Sequence, residues 1–310
     1  MAISWPDEVD RVIGGDLAAG VVYVTPAKGV VIAPMAPLGL RDRERGTITV
    51  TTSLGLWKKL DRIRSNPSVA VAFHARDHAD SDRPEFVLAQ GNAHFSTTPD
   101  RAWLESIGAE WEHFLGPIRK GPAGRWMEVY YWQRVAIEID VTRVVVWPDL
   151  GCRGKPSIHG DPLPAAAPSQ SAPKNGTGPR QNASRLAKEI GRLPHSLLGW
   201  VSGDGLPMAV PVEAGAVGPD GVALAIPASV RPEGTRRAGL TAHEFKPRMI
   251  GQEQHIYTGW LDIERDRAVY APHTRAGYKL PASKALFTLA SGGGTRAGIR
   301  NARKRGLAPR

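Results

Sequence analysis

The chain has 310 residues, which is long enough for two ordinary domains with a substantial core. Its 40 lysines and arginines outnumber its 30 acidic residues and give a formal net charge of +10, which favours an anionic partner: nucleic acid, an acidic surface or a phosphorylated small molecule. Cys152 is the only cysteine, which excludes an intrachain disulfide and a multi-cysteine metal site. No apolar run reaches membrane-spanning length and the N-terminus lacks the order of a signal peptide, so we expect a soluble cytoplasmic protein.

The first 150 residues predict a strand-rich unit with short helices. Ser4 is positioned to cap a first helix. Strands are predicted over "GVVYVTP", "GVVIAPMAPLG", "GTITVTTS", "SVAVAFHA" and "EFVLAQGNAHF". Between the third and fourth of these, Leu56, Leu60 and Ile63 recur at helical spacing and Pro67 stops the pattern. A threonine-capped helix is predicted over "TPDRAWLESIGAEWEHFLG", and long strands over "RWMEVYYWQRVAIEIDVTRVVVWP" close the unit.

The composition changes after these strands. Residues 151–192 are rich in Pro, Ala, Ser and Gly without an apolar period, which predicts a linker. A second strand-rich unit is predicted over 193–290, and a basic tail over 291–310 follows an "SGGGT" hinge as a disordered, solvated end. Because residues 151–185 and those beyond Gly292 contain few apolar side chains, we expect folding not to depend on them.

The two strand-rich units repeat one layout. "LLGWVSGDGLPMAVPVEAG" is arranged like "VVYVTPAKGVVIAPMAPLG", and "DGVALAIPAS" is arranged like "RGTITVTTS". Matching Leu240 to Ile63 places Arg236 on Lys59, with one extra residue in the loop. The repeat predicts a mainly β (α+β) fold of two tandem barrels related by a pseudo-two-fold, like a homodimer joined in one chain. Whether this tandem forms a further homodimer stays open.

One stretch combines hydroxyls and cations where a strand passes into a helix. In "TVTTSLGLWKKLDRIRSNPSVAVAF" the strand ends in Thr51, Thr52 and Ser53, and a lysine-bearing helix leads to Asn-Pro and a second β-run. This order resembles the pyridoxamine 5′-phosphate oxidase-like superfamily, split β-barrel proteins that bind FMN or the deazaflavin coenzyme F-420. The resemblance covers roughly residues 5–150 well and 193–280 more loosely.

The resemblance implies a site for the cofactor's phosphate. Strand-end hydroxyls and helix N–H groups donate to phosphate oxygens, and ammonium groups supply charge. Lys59 matches the family's phosphate-binding lysine, whereas Trp57 departs from the arginine or polar residue found in many relatives. The expected cofactor-binding residues are Thr51, Thr52, Ser53, Lys58, Lys59, Arg62 and, in the second unit, Arg236. The better match of the first unit predicts one working site per chain.

A solvated helix face is the alternative interpretation of the cations Lys58, Lys59, Arg62 and Arg64. Thr51 and Thr52 alternate faces of their strand, so at most one of them points at the site together with Ser53. The nine histidines show no metal-ligand spacing, since His74 and His78 share a face only if their loop is helical. We predict no metal and assign no catalytic residue.

Two functions from different classes are compatible with the sequence. The first is a flavin- or deazaflavin-dependent oxidoreductase that transfers hydride between the bound cofactor and a small organic substrate. The second is a non-catalytic barrel that carries or senses such a cofactor, or binds nucleic acid. Nucleic acid is disfavoured, because the basic tail has no interleaved aromatic residues for stacking on bases. The choice between FMN and F-420, and the substrate, stay open.

Overall fold

The computed structural model describes residues 3–78, 80–165 and 167–308. The strands of the first sheet are β1 (Ala19–Val24), β2 (Val30–Met35), β3 (Arg41–Asp42), β4 (Thr47–Ser53), β5 (Ser68–Phe73), β6 (Phe86–His94), β7 (Arg134–Trp147) and β8 (Ser157–Gly160). They are antiparallel in the order β2-β1-β5-β6-β7-β4-β3, and β8 pairs with β7. β-Branched residues dominate β4 and β7, as a pleated and half-buried surface favours.

The second sheet has seven antiparallel strands. They are β9 (His195–Val201), β10 (Pro207–Pro211), β11 (Glu213–Gly218), β12 (Gly221–Ala225), β13 (Gly234–His243), β14 (Glu253–Glu264) and β15 (Arg267–Lys279). Their order is β10-β9-β13-β14-β15-β12-β11, so each strand stands where the strand eight places earlier stands in the first sheet. The predicted mainly β fold of two tandem barrels is thereby confirmed.

A shared irregularity fixes the correspondence between the two sheets residue by residue. The register of β6 with β7 shifts just before Gly91, and that of β14 with β15 just before Gly259. A Cβ atom at either glycine would lie 2.0 Å or 2.2 Å from a carbonyl oxygen of the neighbouring strand. Both positions therefore require glycine for the same close approach. Counted from this pair, Ile139 in β7 corresponds to Tyr270 in β15.

The two barrels share a core where they meet. One apolar cluster joins Val22, Ile32 and Phe86 of the first barrel to Leu198 and Leu240 of the second. The sheets come so close that a Cβ atom at residue 239, a glycine, would lie 2.3 Å from the carbonyl oxygen of residue 30. This tight packing holds the barrels against each other like subunits of a dimer.

Seven helices surround the sheets. They are α1 (Asp7–Gly15), α2 (Trp57–Ser65), α3 (Arg101–Ser106), α4 (Gly108–Leu115), α5 (Gly121–Trp132), α6 (Ala183–Arg192) and α7 (Lys284–Lys304), in the part of the chain that the structure describes. None of the described helices combines the length and apolar character that a membrane crossing requires.

Local boundaries differ from the expectations at three places. Pro6, not Ser4, precedes α1, and no side chain caps that helix. The cap of α3 is Asp100, whose carboxylate accepts from the backbone N–H of Trp103. The segment from Trp126 to Trp132 belongs to α5 rather than to a strand, because its apolar side chains pack against other helices.

The predicted linker contains regular structure. It supplies β8 to the first sheet and α6 to the second barrel. Leu186 and Ile190 of α6 are buried in the shared core. Arg192, at the end of the helix, is paired with the buried carboxylate of Glu253. The linker is therefore ordered in these segments, where it lies against the two barrels.

The prediction of a disordered tail is wrong. Residues 291–304 continue α7, which packs on α5 and on the turn before α2. Ile299, Ala302 and Leu307 are buried in the core of the first barrel. The glycines that suggested a hinge allow close packing instead, since a Cβ atom at residue 298 would lie 2.4 Å from the carbonyl oxygen of residue 55.

Candidate functional site: a groove between the barrels

An open groove of about 310 Å³ separates α2 from the second barrel. Its size is within the range of small-molecule and cofactor pockets. The first barrel contributes Tyr23, Ala33, Pro34, Gly55, Leu56, Trp57, Lys58 and Lys59. The second barrel contributes Gln254, Ile256, Ala276, Gly277 and Tyr278 from β14 and β15. The walls are largely apolar and aromatic, which suits a flat ring system, and the lysines lie at the start of α2.

Lys59 is a buried cation at one side of this groove. It is 8% exposed, and its Nζ donates to Thr52 Oγ1 at 3.2 Å. Burial, followed by the positive charge of Arg134, lowers the pKa of this lysine to about 7. An anion bound beside this lysine would favour its charged form and raise its pKa again.

Arg134 is a second cation beside Lys59, partly buried, and the sequence analysis missed it. Its Nη2 donates to Thr51 Oγ1 at 3.1 Å, and its guanidinium carbon lies 4.5 Å from the ring centroid of Trp111. Burial lowers the pKa of the Arg134 guanidinium. Its Nε, like Trp111 Nε1, is buried without a hydrogen-bond partner among the described residues. The one available signal was the pairing of Arg134 with Ser53 between β7 and β4. This pairing is apparent only once β7 is known to begin at Arg134.

The strand-end hydroxyls take separate roles. Thr52 contacts Lys59 and Thr51 contacts Arg134, so adjacent residues on opposite strand faces each meet one cation. Ser53 Oγ accepts from the backbone N–H of Gly55 and caps the 3₁₀ turn Leu54–Leu56 that leads into α2. These hydroxyls therefore shape the corner that contains both cations.

The other cations of α2 differ from one another in their contacts. Lys58 lines the groove and is exposed, with its Nζ 5.6 Å from the ring centroid of Trp57. Arg62 lies beside Tyr23. Burial raises the pKa of Tyr23, and the guanidinium of Arg62 offsets part of this rise. Arg64 pairs with Asp61 at 3.1 Å and fits the solvated-face interpretation.

Arg236 does not correspond to Lys59. It lies on β13, the counterpart of β5, and no helix stands between β12 and β13 in the described residues. Its Nη2 donates to the carbonyl oxygens of residues 167 and 233. The match of Leu240 to Ile63 is therefore wrong, and the structure does not bring Arg236 together with the groove residues on α2.

The corresponding corner of the second barrel has lost its donors. Val222 in β12 faces Tyr270, as Ile48 in β4 faces Ile139. Counted from these pairs, the positions of Thr51, Thr52 and Ser53 are occupied by Ala225, Ile226 and Pro227. An apolar corner without a lysine helix offers neither hydrogen bonds nor charge to a phosphate.

Aromatic side chains also stand at two wall positions of the second groove. In the strand registers, Phe86 takes the place of Gln254, and Trp147 takes that of Tyr278. Both aromatic residues are fully buried, in edge contact at 5.6 Å between ring centroids. Trp147 Nε1 also donates to Ser229 Oγ at 3.2 Å.

The second groove keeps open space and one lining cation, Arg231, which is paired with Asp266 at 2.6 Å. The two grooves are thus unequal, because the lysines that line the first have no carboxylate partner among the described residues.

A polar cluster on the outer face of the first sheet joins His94, Glu138 and Asp140. His94 Nε2 lies 3.1 Å from Glu138, and its Nδ1 lies 3.4 Å from Asp140. Because both ring nitrogens already contact a carboxylate, the histidine bridges the two acids, and we assign no metal to the cluster.

Comparisons with known proteins find structural similarity at low sequence identity. No family model and no curated protein matches the chain. A conserved hypothetical protein of Mycobacterium tuberculosis is similar in structure, with 18% identity and a TM-score of 0.36 over 48% of this chain and 88% of its own. An F420 reductase has 18% identity and a TM-score of 0.34 over 45% of this chain and 98% of its own. A pyridoxamine 5′-phosphate oxidase-related, FMN-binding protein of Nostoc punctiforme has 11% identity and a TM-score of 0.31 over 47% of this chain and 89% of its own.

Each of these three structures aligns with about half of this chain. No residue role is taken from them.

Proposed function

We propose that the chain is an oxidoreductase that binds one phosphorylated flavin-type cofactor, FMN or the deazaflavin F-420, in the groove between its barrels. The observation that carries the proposal is the pair of neighbouring cations formed by the buried Lys59 and the partly buried Arg134. Neither has a carboxylate partner among the described residues, and strand-end hydroxyls stand beside both. Two such cations side by side are costly without a counter-ion, and a phosphate supplies one.

The remaining groove residues suit the rest of such a cofactor. Apolar and aromatic side chains of both barrels, among them Tyr23, Trp57 and Ile256, provide walls for a planar ring. Gln254 supplies an amide that can donate and accept hydrogen bonds at the ring's polar edge. When bound, the cofactor's ring supplies the hydride chemistry, so the protein's contribution is anchoring, orientation and exclusion of water.

Titration of FMN and of the deazaflavin into the purified protein tests the proposal. Lys59→Ala removes a charge-assisted contact worth about 1.5–3 kcal/mol, so we expect the Kd to rise about tenfold to hundredfold. Arg64→Ala is the matched control, since this exposed arginine of the same helix pairs with Asp61, and its Kd should stay within about twofold.

The outcomes separate the alternatives. Equal losses in the two variants, or no binding to the unmodified chain, contradict a phosphate site at Lys59. Binding without reduction of the cofactor by any electron donor would instead identify a non-catalytic carrier or sensor. A salt-dependent shift of labelled nucleic acid without cofactor binding would favour the third possibility.

A further inference from the structure

A second cavity, of about 180 Å³, lies among the helices outside the barrels. It is bounded by the end of α4, by α5, by the 3₁₀ turn Pro247–Met249 and by the start of α7, and we call it the helical cavity. The residues used below are Leu115, Arg119, Met127, Tyr130, Arg248, Lys284 and Phe287. It is separate from the groove, because the two share no lining residue.

Three cations from separate segments line the helical cavity. Arg119 follows α4, Arg248 lies in the 3₁₀ turn, and Lys284 begins α7. None has a carboxylate partner among the described residues, and no acidic residue lines the cavity. Arg101 of α3, by contrast, is paired with Glu105. Three like charges around one space repel each other, and an anion in that space relieves the repulsion.

Arg248 is held toward this space by an unfavourable backbone. Arg248 and Met249 both have positive φ, at 56° and 59°, a region that L-residues other than Asn, Asp and Gly rarely adopt. The guanidinium lies against the end of α4, since a Cβ atom at Gly116 would be 3.0 Å from Arg248 Nε. Two consecutive strained residues persist only where the surroundings hold them, and such strain is concentrated at functional sites.

The rest of the lining is apolar and aromatic. Leu115, Met127 and Phe287 form walls, and the ring of Tyr130 faces both this cavity and the groove's cation corner, 5.7 Å from the guanidinium carbon of Arg134. Burial raises the pKa of Tyr278 of the groove to about 12, and the nearby Tyr130 contributes to this rise. The helical cavity is thus adjacent to the groove.

We propose that the helical cavity binds an organic anion with an apolar or aromatic body, its acidic group contacting Arg248 and Lys284. If the proposed function is right, this anion is the substrate class of the oxidoreductase, because the cavity adjoins the cofactor groove through Tyr130. The binding of an organic anion does not itself depend on that function.

The test compares two fluorescent probes of similar shape, anionic 8-anilinonaphthalene-1-sulfonate and neutral N-phenyl-1-naphthylamine. The anionic probe binds more tightly, and its Kd rises with salt. Arg248→Asn, which tolerates the positive φ, and Lys284→Gln each raise the Kd of the anionic probe about tenfold and leave the neutral probe within twofold. Lys188→Gln, an exposed lysine of α6, changes neither value.

The outcomes of this experiment distinguish the two proposals. Probe binding that survives Lys59→Ala and saturation with FMN assigns the probe to the helical cavity. Displacement by FMN, equal affinity for both probes, or an unchanged Kd in both cation variants overturns the inference while leaving the cofactor proposal standing. Failure of both FMN and the deazaflavin to bind, with the probe results as expected, overturns the cofactor proposal alone.

Discussion

His74 and His243 occupy the same position in the two barrels, and their Nε2 atoms lie 2.9 Å apart on the pseudo-two-fold. Each residue directly follows or ends the corresponding strand, β5 or β13. His74 Nδ1 lies 2.9 Å from the Ala72 carbonyl oxygen and must donate to it, so its Nε2 accepts from His243. His243 Nδ1 then has no partner among the described residues. This pattern holds only while both rings are neutral.

The histidine pair predicts loss of stability in acid. Burial, followed by the charge of His195, lowers the pKa of His74 to about 3, and burial also holds that of His243 well below its ordinary value. The unfolded chain takes up these protons below about pH 6.5 and the folded chain does not, so stability falls with pH from about 6.5 toward 3. Between pH 7 and 5 we expect a loss of about 2 kcal/mol from His74 and a further loss from His243, measured by urea unfolding.

His243→Gln keeps a donor for His74 and removes one titrating ring. We expect its loss of stability between pH 7 and 5 to be smaller than that of the unmodified chain. His159→Gln on β8 is the control and should follow the unmodified chain. If His243→Gln also follows it, the pair does not govern the acid sensitivity.

Two glycines of α7 predict opposite effects of one substitution. A Cβ atom at Gly298 would meet the backbone of Gly55 at 2.4 Å, whereas Gly294 faces open space. Gly294→Ala should stabilise the protein by about 0.5–1 kcal/mol through helix propensity. Gly298→Ala should destabilise it and weaken FMN binding, because the turn before α2 must move away from the helix. Urea unfolding and FMN titration measure both effects, and a stabilising Gly298→Ala would contradict this role of α7.

The unequal grooves predict one cofactor per chain. Calorimetric titration of FMN should give a stoichiometry of one, since the second corner has Ala225 and Ile226 where the first has hydroxyls. Arg236→Gln should leave the Kd within about twofold, because this arginine bonds to carbonyl oxygens away from the groove. A stoichiometry of two, or a large effect at Arg236, would return the second site to consideration.

The sequence predicted the parts of the molecule that local pattern controls. The succession of strands along the chain, and the hydroxyls and lysines at the passage into α2, follow from alternation and turn residues. The register of the repeat was missed, because Leu240 belongs to a strand whose apolar spacing over a few residues does not differ from that of a helix.

The missed features depend on tertiary contacts. Arg134 joins the site only because β7 pairs antiparallel with β4, a long-range register that local pattern does not encode. The glycines of α7 suggested a hinge, but Gly292 packs against the Trp126 ring and Gly298 against the turn before α2. Glycine marks flexibility and close approach equally well in a sequence, and only the partner surface decides between them.

The lowered pKa of Lys59 predicts that phosphate binding weakens as pH rises. With a pKa of about 7 in the free protein, the lysine is mostly neutral at pH 9, and the phosphate loses its charged partner. FMN's phosphate is already dianionic above pH 7.5, since its second pKa is about 6, so the change between pH 7.5 and 9 reports on the protein. We expect the Kd for FMN to rise about tenfold over that range in the unmodified chain and to stay nearly constant in Lys59→Met. Riboflavin, which lacks the phosphate, is the matched ligand and should bind with little pH dependence in both proteins. An equal pH dependence for FMN and riboflavin would show that a group outside the cation corner titrates, and would remove Lys59 from the phosphate site.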